Sequence, residues 1–249
     1  MLGAIIGDIV GSRFEFNNTK NYNFELFTPE CSFTDDTICT IAIADALTDG
    51  SRDYKKSLLY WCNLYKQKGV FSRSFSNWFM SDNPQPYNSF GNGSAMRVSP
   101  VAWWFDNLER VKIEAIRTAV PTHNHPEGVK GAVAVAHAIF YLRNGGNKDG
   151  LIELANEYYP GFLQYKYSVG KFDATSQGTV PLCFYIIVHS TSFENSIRNA
   201  IVWGGDSDTI GAIVGSMAEA LWDIPEEMYE KSLGCLPERM RIIVEKIIN

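Results

Sequence analysis

Thr34-Asp35-Asp36-Thr37 and Asp206-Ser207-Asp208-Thr209 set two pairs of carboxylates, each flanked by hydroxyls, at two distant points of the chain. Each precedes an apolar helical pattern. Ile38 to Leu47 carries only Asp45 as a charge, and Ile210, Ile213, Val214, Met217 and Leu221 recur at helical spacing. Thr34 is then an N-cap candidate with both aspartates in the first turn, where acidic residues complement the helix macrodipole. Capping alone accounts for one such segment. It accounts less well for two that mirror each other, the first leading a helix that is apolar almost all round and therefore reads as central. Buried carboxylates need a cation. If the fold joins the two segments, four carboxylates and two hydroxyls converge. Oxygen ligands without cysteine or histidine favour Mg²⁺, Mn²⁺ or Ca²⁺ over zinc. Four carboxylates can hold two divalent ions about 3.5–4 Å apart.

Three further segments carry chemistry. Ser89-Phe90-Gly91-Asn92-Gly93-Ser94 precedes a predicted helix over 95–105, and a Gly-rich backbone before a helix start can bind phosphate. It is no dinucleotide fingerprint, because the third glycine and a preceding strand are missing. Thr122-His123-Asn124-His125-Pro126 offers two histidines at i, i+2 for a metal, a phosphate or a helix cap, while His137 and His189 read as structural. Asp8 sits in an otherwise apolar N-terminal helix, which demands a partner for its carboxylate. Glu15 opens a long loop. Walker and nucleophile-elbow motifs are absent.

The elements that must position these residues are helical. Val129, Ala132, Val133, Ala136 and Phe140 mark one helix face, and Met240, Ile243, Val244 and Ile247 mark another within 237–249. Val180 to Val188 is too short to span a membrane and reads as a buried core element, helix or strand. Segments 14–31, 81–93, 144–147 and 158–170 read as loops. No linker divides the 249 residues, so one all-α domain over 1–249 is expected. With 22 basic against 28 acidic residues the net charge is −6, and no basic run exceeds Lys55-Lys56, so a nucleic-acid partner is not expected. Five widely spaced cysteines read as free thiols in a reducing compartment. With no signal-peptide pattern, a cytoplasmic monomer without membrane attachment is the expectation.

Gly7-Asp8, Gly11-Ser12, Glu15, Thr34 to Thr37, Gly91-Asn92-Gly93-Ser94-Ala95-Met96-Arg97, Thr122-His123 and Gly204 to Gly211 occur in the order seen in the ADP-ribosylglycohydrolase family, which this sequence resembles over most of its length. The resemblance implies an orthogonal multi-helix bundle with a two-metal Mg²⁺ or Mn²⁺ site between helix N-termini. It implies hydrolysis at C1″ of the distal ribose of ADP-ribose. The acceptor is expected to be protein-bound arginine, with serine-linked ADP-ribose or O-acetyl-ADP-ribose as the alternative. Thr34, Asp35, Asp36, Asp206, Asp208 and Thr209 are the implied metal ligands. Asp35 or Glu15 is the implied catalytic carboxylate, Glu15 on a flap. Phe90, Gly91, Asn92, Gly93, Ser94 and His123 are implied to hold ribose and diphosphate, and Asp8 to support the site. Ser207, Cys39 and Glu219 depart from the family pattern without removing a ligand. A non-catalytic ADP-ribose-binding protein and a metal-dependent phosphoesterase are the competing readings.

Overall fold

Side-chain caps and apolar faces decide the local structure. α1 (Leu2–Gly11) is wholly buried. α2 (Asp35–Thr48) starts at Thr34 and is buried except at Asp35, Asp45 and Thr48, as expected of a central helix. There follow α3 (Tyr54–Leu64), α4 (Arg73–Phe79), α5 (Gly93–Met96), α6 (Ser99–Trp104), α7 (Leu108–Ala119), α8 (Pro126–Arg143) and α9 (Lys148–Tyr158). The chain ends with α10 (Ser176–His189), α11 (Phe193–Trp203), α12 (Ser207–Ala218), α13 (Glu226–Gly234) and α14 (Glu238–Ile248). α3, α7, α9 and α11 begin at Asp53, Asn107, Asn147 and Ser192, whose side chains accept first-turn N–H groups. This computed structural model describes residues 1–248. The protein is all-α: among the described residues there is no strand, only an isolated bridge between Gly91 and Thr175. No helix among them is long and apolar enough to cross a membrane. The five cysteines are free.

The contact that positions the site is between the first and twelfth helices. Gly3, Gly7 and Gly11 line α1 at four-residue spacing, facing Gly215, Gly211 and Asp208 of α12. A Cβ on Gly7 would lie 1.9 Å from the Gly211 carbonyl oxygen, so the antiparallel helices meet backbone to backbone. At one end, Glu219 accepts from Leu2 N (3.2 Å) and Gly3 N (2.8 Å) and pairs with the Met1 amine. The acid that interrupts the small-residue run is thus the anionic cap of α1. At the other end, the last turn of α1, which carries Asp8, lies against the first turn of α12, which carries Asp208.

Two sequence expectations change in detail, and one left open is resolved. The helix expected over 95–105 is two, α5 and α6, because Pro100 has no N–H for the Met96 carbonyl. That carbonyl accepts instead from Thr40 Oγ1 (3.5 Å). The segment around Val180 to Val188 is helical, as α10. In α8 the buried residues are Gly128, Gly131, Ala132, Ala134, Ala136 and Ala138 together with Val135, Ile139 and Leu142, while Val129, Val133 and Phe140 of the expected face are half-buried.

Candidate functional site

The carboxylate of Asp8 lies on the open N-terminus of α2. Its Oδ2 accepts from Thr34 N (2.9 Å) and Thr37 N (3.0 Å), and its Oδ1 from Thr34 Oγ1 (2.7 Å). Three charge-assisted bonds explain an aspartate in an apolar helix. Burial still raises its pKa from the ordinary aspartate value. Asp8 thereby ties α1 to α2, as α1 is tied to α12.

The two acidic segments converge as the sequence predicts. Carboxylate oxygens of Asp8, Asp36 and Asp208 lie within 4.8 Å of one another, and so do those of Glu15, Asp206 and Asp208. Asp208 belongs to both groups. Thr34 Oγ1 lies 3.4 Å from both Asp36 Oδ2 and Asp208 Oδ2, and Thr209 Oγ1 donates to Asp36 Oδ2 (3.2 Å). Asp35 stands outside both groups of three and is half-buried, yet its carboxyl feels Asp8, Asp206 and Glu15. Burial and then the neighbouring carboxylates raise Asp35, Asp36 and Asp208 well above the usual range. Burial also raises Asp206. Burial and the Asp206 charge push Glu15 up to about 7.

Asp36 Oδ1 is buried with no hydrogen-bond partner, and so is Thr37 Oγ1. An orphaned carboxylate oxygen among repelling neighbours fits a cation. The donor set, carboxylates and threonine hydroxyls, suits a hard divalent ion. Thr34, Asp36, Asp206, Asp208 and Thr209 offer oxygens at its centre, with Glu15 and Asp35 at its edge.

The loop over 90–94 lies beside this cluster, and two of its polar side chains are engaged within the protein. Asn92 Nδ2 donates to Asp206 Oδ2 (2.7 Å) and Thr179 Oγ1 (3.1 Å), while Ser94 Oγ donates to Gly128 O (2.7 Å). These side chains hold the site in shape, and the Phe90 ring is exposed. Ser176 N donates to Phe90 O (2.8 Å) and Asn92 N to Ala174 O (2.9 Å), pinning the loop to the start of α10. His123 is buried against Gly91 and Gly93. His125 caps α8, its Nδ1 accepting from Glu127 N (3.1 Å), so the two histidines do not act as a metal pair.

Sequence reasoning missed Asn18. Its Oδ1 accepts from Gly205 N (2.8 Å), and its Nδ2 donates to Gly205 O (3.2 Å) and Phe14 O (2.6 Å). This amide clasps the Glu15 segment to the turn before Asp206. Gly205 has φ +83°, and a Cβ there would lie 2.4 Å from Lys171 O, so the turn requires glycine. Asn18 lies in a loop rich in Asn and Thr, where no spacing singles it out.

The chain matches the ADP-ribosylglycohydrolase family description over residues 1–248. The ADP-ribosylarginine hydrolase Tri1 of Pseudomonas putida is 25% identical, over 93% of this chain and 72% of its own. The dinitrogen reductase ADP-ribosyl glycohydrolase of Rhodospirillum rubrum is 24% identical, over 92% and 87%. A solved structure titled ADP-ribosylglycohydrolase-related protein complex superposes with a TM-score of 0.78 at 22% identity, covering 99% of this chain and 94% of that one. With the match running almost end to end, this chain belongs to the ADP-ribosylglycohydrolase family.

Proposed function

We propose that this protein is a metal-dependent hydrolase that releases ADP-ribose from a mono-ADP-ribosylated acceptor, arginine-linked protein first. The observation that carries the reading is the buried carboxylate cluster at the starts of α2 and α12, with the orphaned Asp36 Oδ1 at its centre. Two divalent ions, Mg²⁺ or Mn²⁺, would be held by Thr34, Asp36, Asp206, Asp208 and Thr209, with Asp35 at the edge. When bound, they supply chelation for the ribose hydroxyls and a positioned water. The residues of the chain do the rest. Asp8 fixes the start of α2 through Thr34 and Thr37. Asn92 orients Asp206.

Glycosidic cleavage builds oxocarbenium-like charge at C1″. Asp35 and Glu15 are the two carboxylates at the edge of the cluster, suited to accept the proton of an attacking water or to shield that charge. The diphosphate needs donors rather than carboxylates. The segment over 90–94 and His123 are assigned that role, as the family resemblance implies. The arginine linkage is favoured because two relatives, from Pseudomonas putida and Serratia proteamaculans, are named ADP-ribosylarginine hydrolase.

The test is a mass-resolved hydrolysis assay on arginine-linked and serine-linked ADP-ribosylated protein with Mg²⁺. Intact ADP-ribose and free arginine acceptor are expected. Release from serine alone moves the reading to O-linked substrates. AMP as product identifies a phosphoesterase, and inertness with tight ADP-ribose binding identifies a binding protein.

A further inference from the structure

We propose that Arg97 and Thr122 fix His123 as a neutral imidazole carrying its proton on Nε2, which makes it a one-way hydrogen-bond donor to a phosphate oxygen lying over Gly91 and Gly93. The proposal rests on the reading of that loop as a diphosphate subsite, and it assigns two residues that touch neither the carboxylate cluster nor the ligand.

Arg97 is a buried cation, 1% exposed, that forms no ion pair with any carboxylate among the described residues. Its Nη2 donates to Thr118 O (2.8 Å), to Ala119 O (3.5 Å) and to Thr122 Oγ1 (2.9 Å). A guanidinium can only donate, so Thr122 accepts from it. Thr122 Oγ1 also lies 2.7 Å from His123 Nδ1. A hydroxyl has one proton to give. If Nδ1 carried a hydrogen, Thr122 would accept twice and its own proton would be stranded, because Thr122 is fully buried and its hydroxyl has no third partner among the described residues. A stranded buried donor is costly. The Thr122 proton therefore goes to Nδ1, which must present a lone pair. That excludes the imidazolium form and leaves the ring proton on Nε2. Burial, and then the Arg97 charge, hold the His123 pKa well below its ordinary value, which agrees.

The other end of the ring has no partner. Nε2 makes no hydrogen bond among the described residues and faces the loop, where a Cβ on Gly93 would lie 3.2 Å away and one on Gly91 3.5 Å. His123 is 5% exposed, a nearly buried donor aimed at the loop. An Nε2–H cannot ligate a metal and cannot accept a proton. It can only meet an acceptor, and an anionic phosphoester oxygen is the acceptor that repays so buried a donor. Glycine at 91 and 93 keeps the approach open.

The first experiment needs no variant. Long-range ¹H–¹⁵N correlation on the full chain with Mg²⁺ reads the tautomer of each histidine. The account expects His123 Nδ1 unprotonated and Nε2 protonated at pH 7. An Nδ1–H tautomer or an imidazolium overturns the relay, whatever the protein's activity. The second is calorimetry with ADP-ribose. Thr122→Val removes the hydroxyl at constant shape and is expected to weaken binding about tenfold, about one hydrogen bond's worth. Thr122→Ser keeps the hydroxyl and is expected to bind as the unaltered protein does. Equal binding by the valine and serine variants overturns the positioning role. An unaltered protein with the expected tautomer and no affinity for ADP-ribose overturns the ligand assignment, and with it the functional reading, while the relay stands.

Discussion

Removing divalent cations should leave a protein whose stability falls as pH rises. A carboxyl whose folded pKa lies above its unfolded value holds its proton more tightly in the folded state. The stability it contributes is present below the unfolded pKa and is lost as pH rises through the folded one. Glu15 moves from an ordinary 4.5 to about 7, which sets the window. At about 1.4 kcal/mol per unit the full shift is about 3 kcal/mol. Glu15 is only half-buried, so screening leaves about 1–2 kcal/mol of it. Asp8, Asp35, Asp36, Asp206 and Asp208 all shift the same way. Unfolding entropy of about 2 cal/mol/K per residue converts that to a Tm lower by about 2–4 °C at pH 7.5 than at pH 5 from Glu15 alone. Adding Mg²⁺ or Mn²⁺ at about a hundred times its Kd contributes about 2.7 kcal/mol, or about 5 °C, at pH 7.5. The gain shrinks at pH 5, where protons compete for the same oxygens. Scanning calorimetry of chelator-treated protein, with and without metal at both pH values, reads both effects. A metal-free Tm that rises from pH 5 to 7.5, or a metal-induced gain equal at both, refutes the reasoning.

Asp208→Asn removes the carboxylate shared by both acidic groups, so hydrolysis should drop more than about a hundredfold. Because it also removes a repelling buried charge, the metal-free Tm should hold or rise; a sharp loss of helical signal contradicts this. Gly7→Ala drives a Cβ to 1.9 Å from Gly211 O, so the first and twelfth helices must part. Thermal unfolding should show a loss of about 3 kcal/mol, the upper end for overpacking. Gly234→Ala, whose Cβ would meet nothing within 4 Å, is the neutral control. Asn18→Ala releases the Glu15 segment from Gly205 and should lower kcat about tenfold, while costing about 1–3 kcal/mol of stability, because the buried Gly205 N–H loses its partner. Glu114→Ala uncovers Tyr54 and the three arginines Arg52, Arg110 and Arg117 that surround this buried acid. It should cost about 3–5 kcal/mol in denaturant melts and leave the carboxylate cluster able to bind metal.

The acidic cluster was legible because it is written as residue type at helix starts. Thr34 to Thr37 and Asp206 to Thr209 declare themselves by composition, and their apolar sequels declare the helices. The contact that unites them was harder to read. Gly3, Gly7 and Gly11 repeat at four-residue spacing, but hydrophobic periodicity looks for large side chains, and this interface works by having none. In α8 small residues share the buried side with Val135, Ile139 and Leu142, so the buried face is displaced from the stripe that Val129, Val133 and Phe140 suggest. The resemblance implied that Asn92 helps hold ribose and diphosphate, and nothing in its spacing showed that its side chain would donate to Asp206. Side-chain direction within a Gly-rich loop is set by tertiary partners, here Thr179 and Asp206, which lie 87 and 114 residues away. Asn18 and Arg97 act through backbone carbonyls and one threonine, contacts that no sequence spacing encodes.

The most direct measurement is anomalous diffraction from crystals grown with Mn²⁺. The account predicts two peaks about 3.5–4 Å apart, bounded by Asp36, Asp206 and Asp208 at the starts of α2 and α12. Crystals without manganese there, or with a single ion held by His123 or His125, would contradict it.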